Sequence, residues 1–302
     1  MKQRDLSIII VSYNTLEITK QCLDSILKST RDSDISLEIV VVDNDSHDGS
    51  VAMLLDYNKK HDSLFTLLLN DTNCGFGRAN NQAIAKASGE FVLMLNSDTV
   101  ITGHAIQSLL THARQNPSHH FIGAKLLNAD LTPQDSCGPL YTLPVVFTHL
   151  LLMGDRWPVF RFTRTSPGKT VRVGWVSGAC ILCRKSDFER VGGFDEQIFM
   201  YMEEIDLLHR AQKLGMNTYF YHSARIIHLG SASSGGQRTF PILQVYNGLL
   251  YYYKKHFNKT SLLLLKSMLQ LKAVLGIVVG RATGSTYLSQ TYEKALAIAQ
   301  DH

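Results

Sequence analysis

The sequence predicts an α/β protein whose mostly parallel sheet is covered on both faces. Three observations carry that expectation: short β-branched runs alternate with helix-length stretches from the start, the runs are continuously apolar, and each early run ends in polar, turn-prone residues. With 302 residues, 45% of them hydrophobic, the chain can bury about three quarters of its unfolded surface. Disordered, collagen-like and disulfide-scaffold classes are excluded by composition.

LSIIIV at 6–11 is the first strand; Lys2 and Arg4 precede an apolar run far shorter than the core of a signal peptide. A helix near 15–29 leads to LEIVVV at 37–42, a helix near 48–60 to FTLLL at 65–69, and a helix near 77–87 to FVLML at 91–95. Residues 117–170 hold six of the seven prolines (Pro117, Pro133, Pro139, Pro144, Pro158 and Pro167), so strands and a cleft-shaping loop are expected there. Alternation returns with VRVGWVSGACILCR, followed by GGFDE at 192–196, a helix near 203–214 and an extended segment ending at His228. Helices are expected near 242–257, 262–280 and 286–300, which divides the chain into an α/β domain, 1–240, and a basic, leucine-rich helical tail, 241–302.

The net charge of +4 comes from that tail, where 7 Lys and Arg face 2 Asp and Glu, against 23 and 24 before it. A neutral body argues against a nucleic-acid partner, and a basic tail points to an anionic membrane surface or to a solvated helical face. On a helix Lys255, Lys259, Lys266 and Gln270 share a stripe of roughly 60°. The run Ala273 to Val279, bounded by Lys272, is too short to span a bilayer, so an interfacial helix is expected. Five cysteines, an odd number, fit a reducing cytoplasmic setting, and Cys180 and Cys183 inside GACILC read as buried small residues.

Ligands of open α/β sheets bind outside the carboxyl ends of the strands. Those ends read SYN (Ser12 to Asn14), DND (Asp43 to Asp45), NDTNCGFG from Asn70, and NSD (Asn96 to Asp98). Asx residues there also serve turns and helix caps, and the segment after Asp43 is open to either reading. Asp43 is placed to accept hydrogen bonds from a base or ribose. Asp98, beside a nucleotide crevice, could hold a divalent cation that bridges phosphates. CGFGRAN begins like a dinucleotide fingerprint, but Asn80 stands at its third glycine and it follows the third strand, which argues against a nicotinamide enzyme.

The ordered set SIIIVSYN, EIVVVDNDSHDGS, NCGFGRANNQAI, GEFVLMLNSDT, VSGACILCRKSDFERVGGFDE, FMYMEEIDLLHRAQKLG and HLGSAS resembles the inverting family 2 glycosyltransferases, across about residues 5–235. Its flavour is that of the rhamnosyltransferase-like branch of bacterial surface polysaccharide assembly. The resemblance implies a GT-A fold, a single Rossmann-like mixed sheet flanked by helices with a helical C-terminal extension. It also implies a nucleoside diphosphate sugar donor, dTDP- or UDP-linked, and a glycan or lipid-linked acceptor. Ser12, Asn14 and Asp43 would meet the nucleoside, with Asn73 and Asn81 in support. Asn96 and Asp98 stand where the family has its DxD motif; the first acid is absent, and His228 would serve as a second ligand for Mg²⁺ or Mn²⁺. Glu204 aligns with the catalytic base, with Glu203 before it and Asp206 on the acceptor side. Trp175 and Gly178 resemble the segment lining the acceptor, where an indole can stack on a sugar, although a core Trp fits the sequence equally. The location implied is cytoplasmic, at the inner face of the plasma membrane. A catalytically silent nucleotide- or partner-binding relative is the alternative, and it would dispense with Asp98, Glu203 and Glu204; all three are present.

Overall fold

The computed structural model describes residues 4–152, 163–230 and 239–301. Pro158 and the serines of HLGSAS lie outside the described residues. The first half follows the expected alternation: β1 (Arg4–Ser12), α1 (Leu16–Thr30), β2 (Leu37–Asp43), α2 (Ser50–Lys60), β3 (Phe65–Leu69), α3 (Phe76–Lys86) and β4 (Gly89–Asn96). Then come β5 (Thr99–Ile101), α4 (Ala105–Gln115), β6 (Phe121–Leu127), β7 (Cys137–Gly138), α5 (Leu143–Leu151), β8 (Val171–Val173), β9 (Trp175–Val176) and β10 (Cys180–Arg184). The chain ends with α6 (Lys185–Val191), α7 (Glu203–Lys213), β11 (Thr218–His228), α8 (Thr239–His256), α9 (Lys259–Ala282) and α10 (Thr286–Asp301).

The main sheet runs β3-β2-β1-β4-β10-β6-β11-β5, with β8 also on β11. Its first four strands are parallel, β10 is antiparallel to both β4 and β6, and β11 runs parallel to β6. Continuous apolar runs in β1, β2 and β4 bury both faces of the sheet there. Ile8 and Ile10 pack with α1, α2 and α4, whereas Ile9 packs with α3, α6 and α7. Cys180 and Cys183 fall three apart on one strand and so enter opposite cores, as buried free thiols. Register aligns the strand ends that matter: Ser12 sits opposite Asp43, Asp43 opposite Leu69, and Val11 opposite Asn96.

In the proline-rich segment the expected strands and loop are joined by a helix, because Pro144 lies in the first turn of α5, where its missing N–H has no partner to lose. The tail differs more. Tyr246, Leu249, Leu250, Tyr252 and Tyr253 of α8 belong to the same apolar cluster as Ile9 and the inner face of α7. The expected basic stripe is only partly free: Lys259 stays exposed, whereas the Lys255 ammonium bonds Asp195 at 2.6 Å and Asp206 at 2.8 Å, and Gln270 donates to the Ala299 carbonyl at 3.1 Å. What α9 exposes instead is apolar, with Leu263 at 64%, Val278 at 57% and Leu264, Leu271, Val274 and Leu275 beside them.

Candidate functional site

The crevice opens at the carboxyl ends of β1–β4. Asp43 is 1% exposed; its Oδ1 accepts from the Ser46 N–H at 2.9 Å, while Oδ2 is buried without a partner. An unpaired carboxylate oxygen is costly to bury, which makes this end of β2 a candidate contact for a ligand that brings a donor. Asn14, in the left-handed region at φ 51°, accepts from the His47 N–H at 2.7 Å and ties the β1 loop to the β2 loop. Ser12 is fully buried and its hydroxyl meets Thr19 Oγ1 at 3.2 Å, so its side chain braces α1 from behind the crevice.

Asn44 organises the next rim. Its amide nitrogen donates to Asn73 Oδ1 at 2.8 Å, and its oxygen accepts from Asn70 at 3.0 Å and from the Cys74 N–H at 3.2 Å. Asn73 also accepts from the Gly75 N–H, closing the turn that opens α3. Gly75 has φ +86° and lies so close to Phe199 that a Cβ would meet its carbonyl at 2.5 Å, while Phe76 N–H donates to that carbonyl at 2.9 Å. The CGFG turn thus clamps this loop against the segment before α7. Asn81 points away from the nucleoside side: its amide donates to the Phe194 carbonyl and accepts from the Phe194 N–H, both at 2.9 Å, pinning the GGFDE loop.

At the end of β4, Asp98 Oδ1 faces His228 Nε2 at 3.2 Å, and Asn96 Oδ1 is buried without a partner. The hydrogen-bond network assigns the His228 tautomer. Asp130, which can only accept, takes the Thr132 hydroxyl proton at 2.6 Å; Thr132 accepts from Asn128 Nδ2 at 2.9 Å; Asn128 Oδ1 accepts from Gln134 Nε2 at 3.0 Å. Gln134 Oε1 is then left to accept from His228 Nδ1 at 2.7 Å, and the other ring nitrogen, Nε2, faces Asp98 Oδ1 and lies 3.4 Å from the Asn96 amide nitrogen. The Asp98–His228 separation is close to the roughly 3 Å between adjacent ligands on a hard octahedral ion, while among the described residues no group of three or more His, Cys, Asp or Glu side chains gathers to hold a metal.

Glu203 and Glu204 open α7, which starts after two residues in the left-handed region, Tyr201 (φ 65°) and Met202 (φ 78°). Each such non-glycine residue costs on the order of 1–3 kcal/mol and persists where its surroundings impose it. Both glutamates leave Oε2 buried without a partner. Burial and then the neighbouring Glu204 charge push the Glu203 carboxyl well above its ordinary value. Burial pushes Glu204 up as well, opposed by its own backbone N–H, the Arg164 charge, and the N–H groups of Gly178 and Ile205. Gly178 lies beside the Glu204 side chain, and the next residue, Ala179, accepts from the Asn96 N–H at 3.1 Å. That short segment joins the acid pair to the end of β4. Tyr201 stands between them: burial first, then the charges of Glu203, Glu204 and Asp98, raise its hydroxyl pKa.

A strand-end crevice, an Asp–His pair and a buried acid pair lie on one side of the sheet, and comparison with known proteins shows the family of the chain that carries them. Residues 7–192 match the model of glycosyl transferase family 2. The chain belongs to that family. It is 30% identical over 247 residues, 76% of this chain and 78% of the relative, to the N-acetylglucosaminyl-diphospho-decaprenol L-rhamnosyltransferase of Mycobacterium tuberculosis. It is likewise 30% identical over 162 residues, 51% of this chain and 60% of the relative, to rhamnosyltransferase WbbL of Escherichia coli. Its fold is that of a mannosyltransferase from Pyrobaculum calidifontis solved with GDP-Man and Mn²⁺, with a TM-score of 0.60 at 15% identity, covering 100% of this chain and 87% of that one.

Two acceptor-side expectations land elsewhere in this glycosyltransferase. Trp175 is 1% exposed, packed by Tyr141 and under the Arg164 guanidinium 5.5 Å from its ring, so it is a core residue that shapes the pocket from behind. Asp206 is fully buried and bonds Arg210 at 2.7 Å, Lys255 at 2.8 Å and His256 at 2.7 Å. Burial raises its carboxyl, but the bonds from His256 and Lys255 and the Arg210 charge outweigh it and hold it far below the usual carboxylate range. Asp206→Asn would take away the buried carboxylate that Arg210 and Lys255 share, and we expect a loss of about 3–5 kcal/mol in urea unfolding at neutral pH. Because the folded pKa is depressed, that contribution is full above the unfolded carboxylate value and fades as pH falls through it toward the folded value, so the gap between variant and wild type should narrow in acid.

Asn44, Gln134, Arg164 and Tyr201 escaped the sequence reading. An Asn next to a motif acid was a findable signal in Asn44, whereas Gln134 and Arg164 reach the site only through folding of the 128–165 segment.

Proposed function

We propose that this family 2 enzyme moves a sugar, with rhamnose the assignment, from a nucleoside diphosphate donor to a glycan or lipid-linked acceptor, inverting the anomeric centre. The carrying observation is the pair of buried, unpartnered Glu203 and Glu204 oxygens beside the Asp98–His228 pair. Asp43 would receive a base or ribose donor group, and the Asn44–Asn73 network would hold the surrounding loops. Asp98 and His228 would hold a divalent cation, Mg²⁺ or Mn²⁺, which when bound neutralises negative charge on the diphosphate. Glu204 accepts the proton of the acceptor hydroxyl as its oxygen bonds to the anomeric carbon. The bond from that carbon to the diphosphate oxygen breaks with its electron pair, and the nucleoside diphosphate leaves. Burial and the neighbouring Glu204 charge disfavour the charged form of Glu203, which limits negative charge beside the incoming hydroxyl.

The test uses dTDP-rhamnose with a polyprenyl-diphosphate-linked N-acetylglucosamine, an acceptor class taken from the mycobacterial relative's name. Formation of a rhamnosylated lipid with release of dTDP supports the reading. Binding of dTDP with no turnover on any glycan or lipid-linked acceptor would move the silent-relative reading ahead.

Contact with the inner face of the membrane is part of the same proposal. Among the described residues α9 is the one helix long and apolar enough to cross a membrane by length and composition. One side packs on α5, α8 and α10, and Lys272 turns its charge to the Leu150 carbonyl at 2.7 Å, which leaves one uncharged face outward. A helix held along one side suits an interfacial position. Leu264→Glu with Val278→Glu should reduce binding to anionic vesicles at least about 100-fold, from roughly 1.5–3 kcal/mol per buried apolar side chain. Wild-type binding should weaken as salt rises yet survive in part, since only exposed lysines are screened. Unchanged vesicle binding by the double variant would remove α9 from the contact.

A further inference from the structure

Two consecutive left-handed, non-glycine residues lie directly before the catalytic acids, and nothing within 201–204 explains why they hold that shape. The explanation lies on α8. Gly248 faces this turn so closely that a Cβ there would meet Met202 Cγ at 2.8 Å, the Tyr201 carbonyl oxygen at 2.9 Å and Met202 Cβ at 3.0 Å. One turn further, the Tyr252 hydroxyl is 2.7 Å from His209 Nδ1 on α7. One more turn on, Lys255 and His256 grip Asp206 in the first turn of α7, whose own N–H donates to the Met202 carbonyl at 2.9 Å. Positions 248, 252, 255 and 256 recur at helical spacing on one face.

We infer that this face of α8 is the positioning element of the catalytic turn: Gly248, Tyr252, Lys255 and His256 hold Tyr201 and Met202 in their strained shape and thereby aim Glu203 and Glu204. The inference rests on the proposed catalytic role of those acids, but its geometry does not depend on which sugar is moved. Gly248 is there because the helix backbone packs directly on the Tyr201 carbonyl and the Met202 side chain, with no room for a Cβ between them. The Asp206 cluster fixes the axial position of α7, so that the turn cannot relax by sliding along the helix. A segment outside the family match, 7–192, therefore completes the active site.

The test compares wild type, Gly248→Ala and Gly248→Ala/Met202→Gly. Alanine is the better helix former, so a loss in the single variant must come from the contact and not from helix propensity. Amide exchange at 201–206, followed by mass spectrometry, should quicken at least about tenfold in Gly248→Ala, with β1–β4 unchanged. Nucleoside diphosphate release from whichever of the dTDP-, UDP- or GDP-linked sugars the wild type uses should fall at least about tenfold in kcat, with KM for that donor unchanged. Met202→Gly removes two of the three contacts and accepts positive φ, so the double variant should recover part of both losses. Should Gly248→Ala fail to fold, Tyr252→Phe, which loses only a hydroxyl, should still show faster exchange at 201–206. Wild-type exchange at 201–206 in both Gly248→Ala and Tyr252→Phe would overturn the inference. A wild type that turns over no nucleotide sugar would instead count against the proposed function, while the exchange data would still decide the role of α8.

Discussion

Glu204→Gln is expected to lower kcat by about 10²–10⁴-fold while leaving nucleotide binding intact, the range that removing a positioned general base produces. Glutamine keeps the volume and the bond from the Gly178 N–H but cannot take the hydroxyl proton. The same environment sets the pH profile. A base works deprotonated, and burial raises the Glu204 pKa, so kcat/KM should climb with pH through a midpoint above the ordinary carboxylate range. Glu203→Gln should cost less than about tenfold in kcat, because burial and the neighbouring Glu204 charge already disfavour the charged form of Glu203. It should also stabilise the fold near neutrality. A group with a raised folded pKa contributes stability below its unfolded value and loses it as pH rises through the folded one, and glutamine removes that dependence. Kinetic titration of both variants checks the assignment; the reverse pattern would make Glu203 the base.

Asp98→Ala and His228→Ala are each expected to abolish the metal-dependent part of nucleoside diphosphate binding, a loss of more than about 100-fold. Asp98 Oδ1 and His228 Nε2 supply the facing acceptors, and neither alone would hold a cation against water. Gln134→Ala should give a milder loss of about 10–100-fold, because it frees the His228 ring and its tautomer while leaving both acceptors in place. Calorimetric titration with and without Mn²⁺ separates the three. Equal binding in Asp98→Ala and wild type would place the diphosphate elsewhere.

The sheet and its strand ends were legible because they depend on local pattern: a short continuous apolar run followed by Ser, Asp or Asn specifies both a buried strand and a polar rim. Glu203 and Glu204, Asp98 and His228 were legible as motif residues. Three roles were not. Asn81, adjacent to a glycine-rich turn, reads like a pocket residue, yet it bonds Phe194, 113 residues away, and no local pattern encodes that pairing. Asp206 lies three residues along a helix from Glu203, so sequence spacing alone puts it near the acids; the Lys255 and His256 it meets come from the far end of the chain. The tail reads as a basic appendage because charge is counted, not oriented. Folding ties the Lys255 and Lys272 ammonium groups to Asp206 and the Leu150 carbonyl and leaves leucine and valine of α9 outside.

The central claim is a donor site at the carboxyl ends of β1–β4 served by Asp98 and His228, with the acid pair acting only in the chemical step. Calorimetric titration with dTDP, UDP and GDP, each with and without Mn²⁺, on wild type, Asp98→Ala and Glu204→Gln tests it most directly. The prediction is Mn²⁺-dependent binding of one nucleotide to wild type and to Glu204→Gln, and its loss in Asp98→Ala. Binding of none of the three to wild type, or binding indifferent to both Mn²⁺ and Asp98, would contradict it.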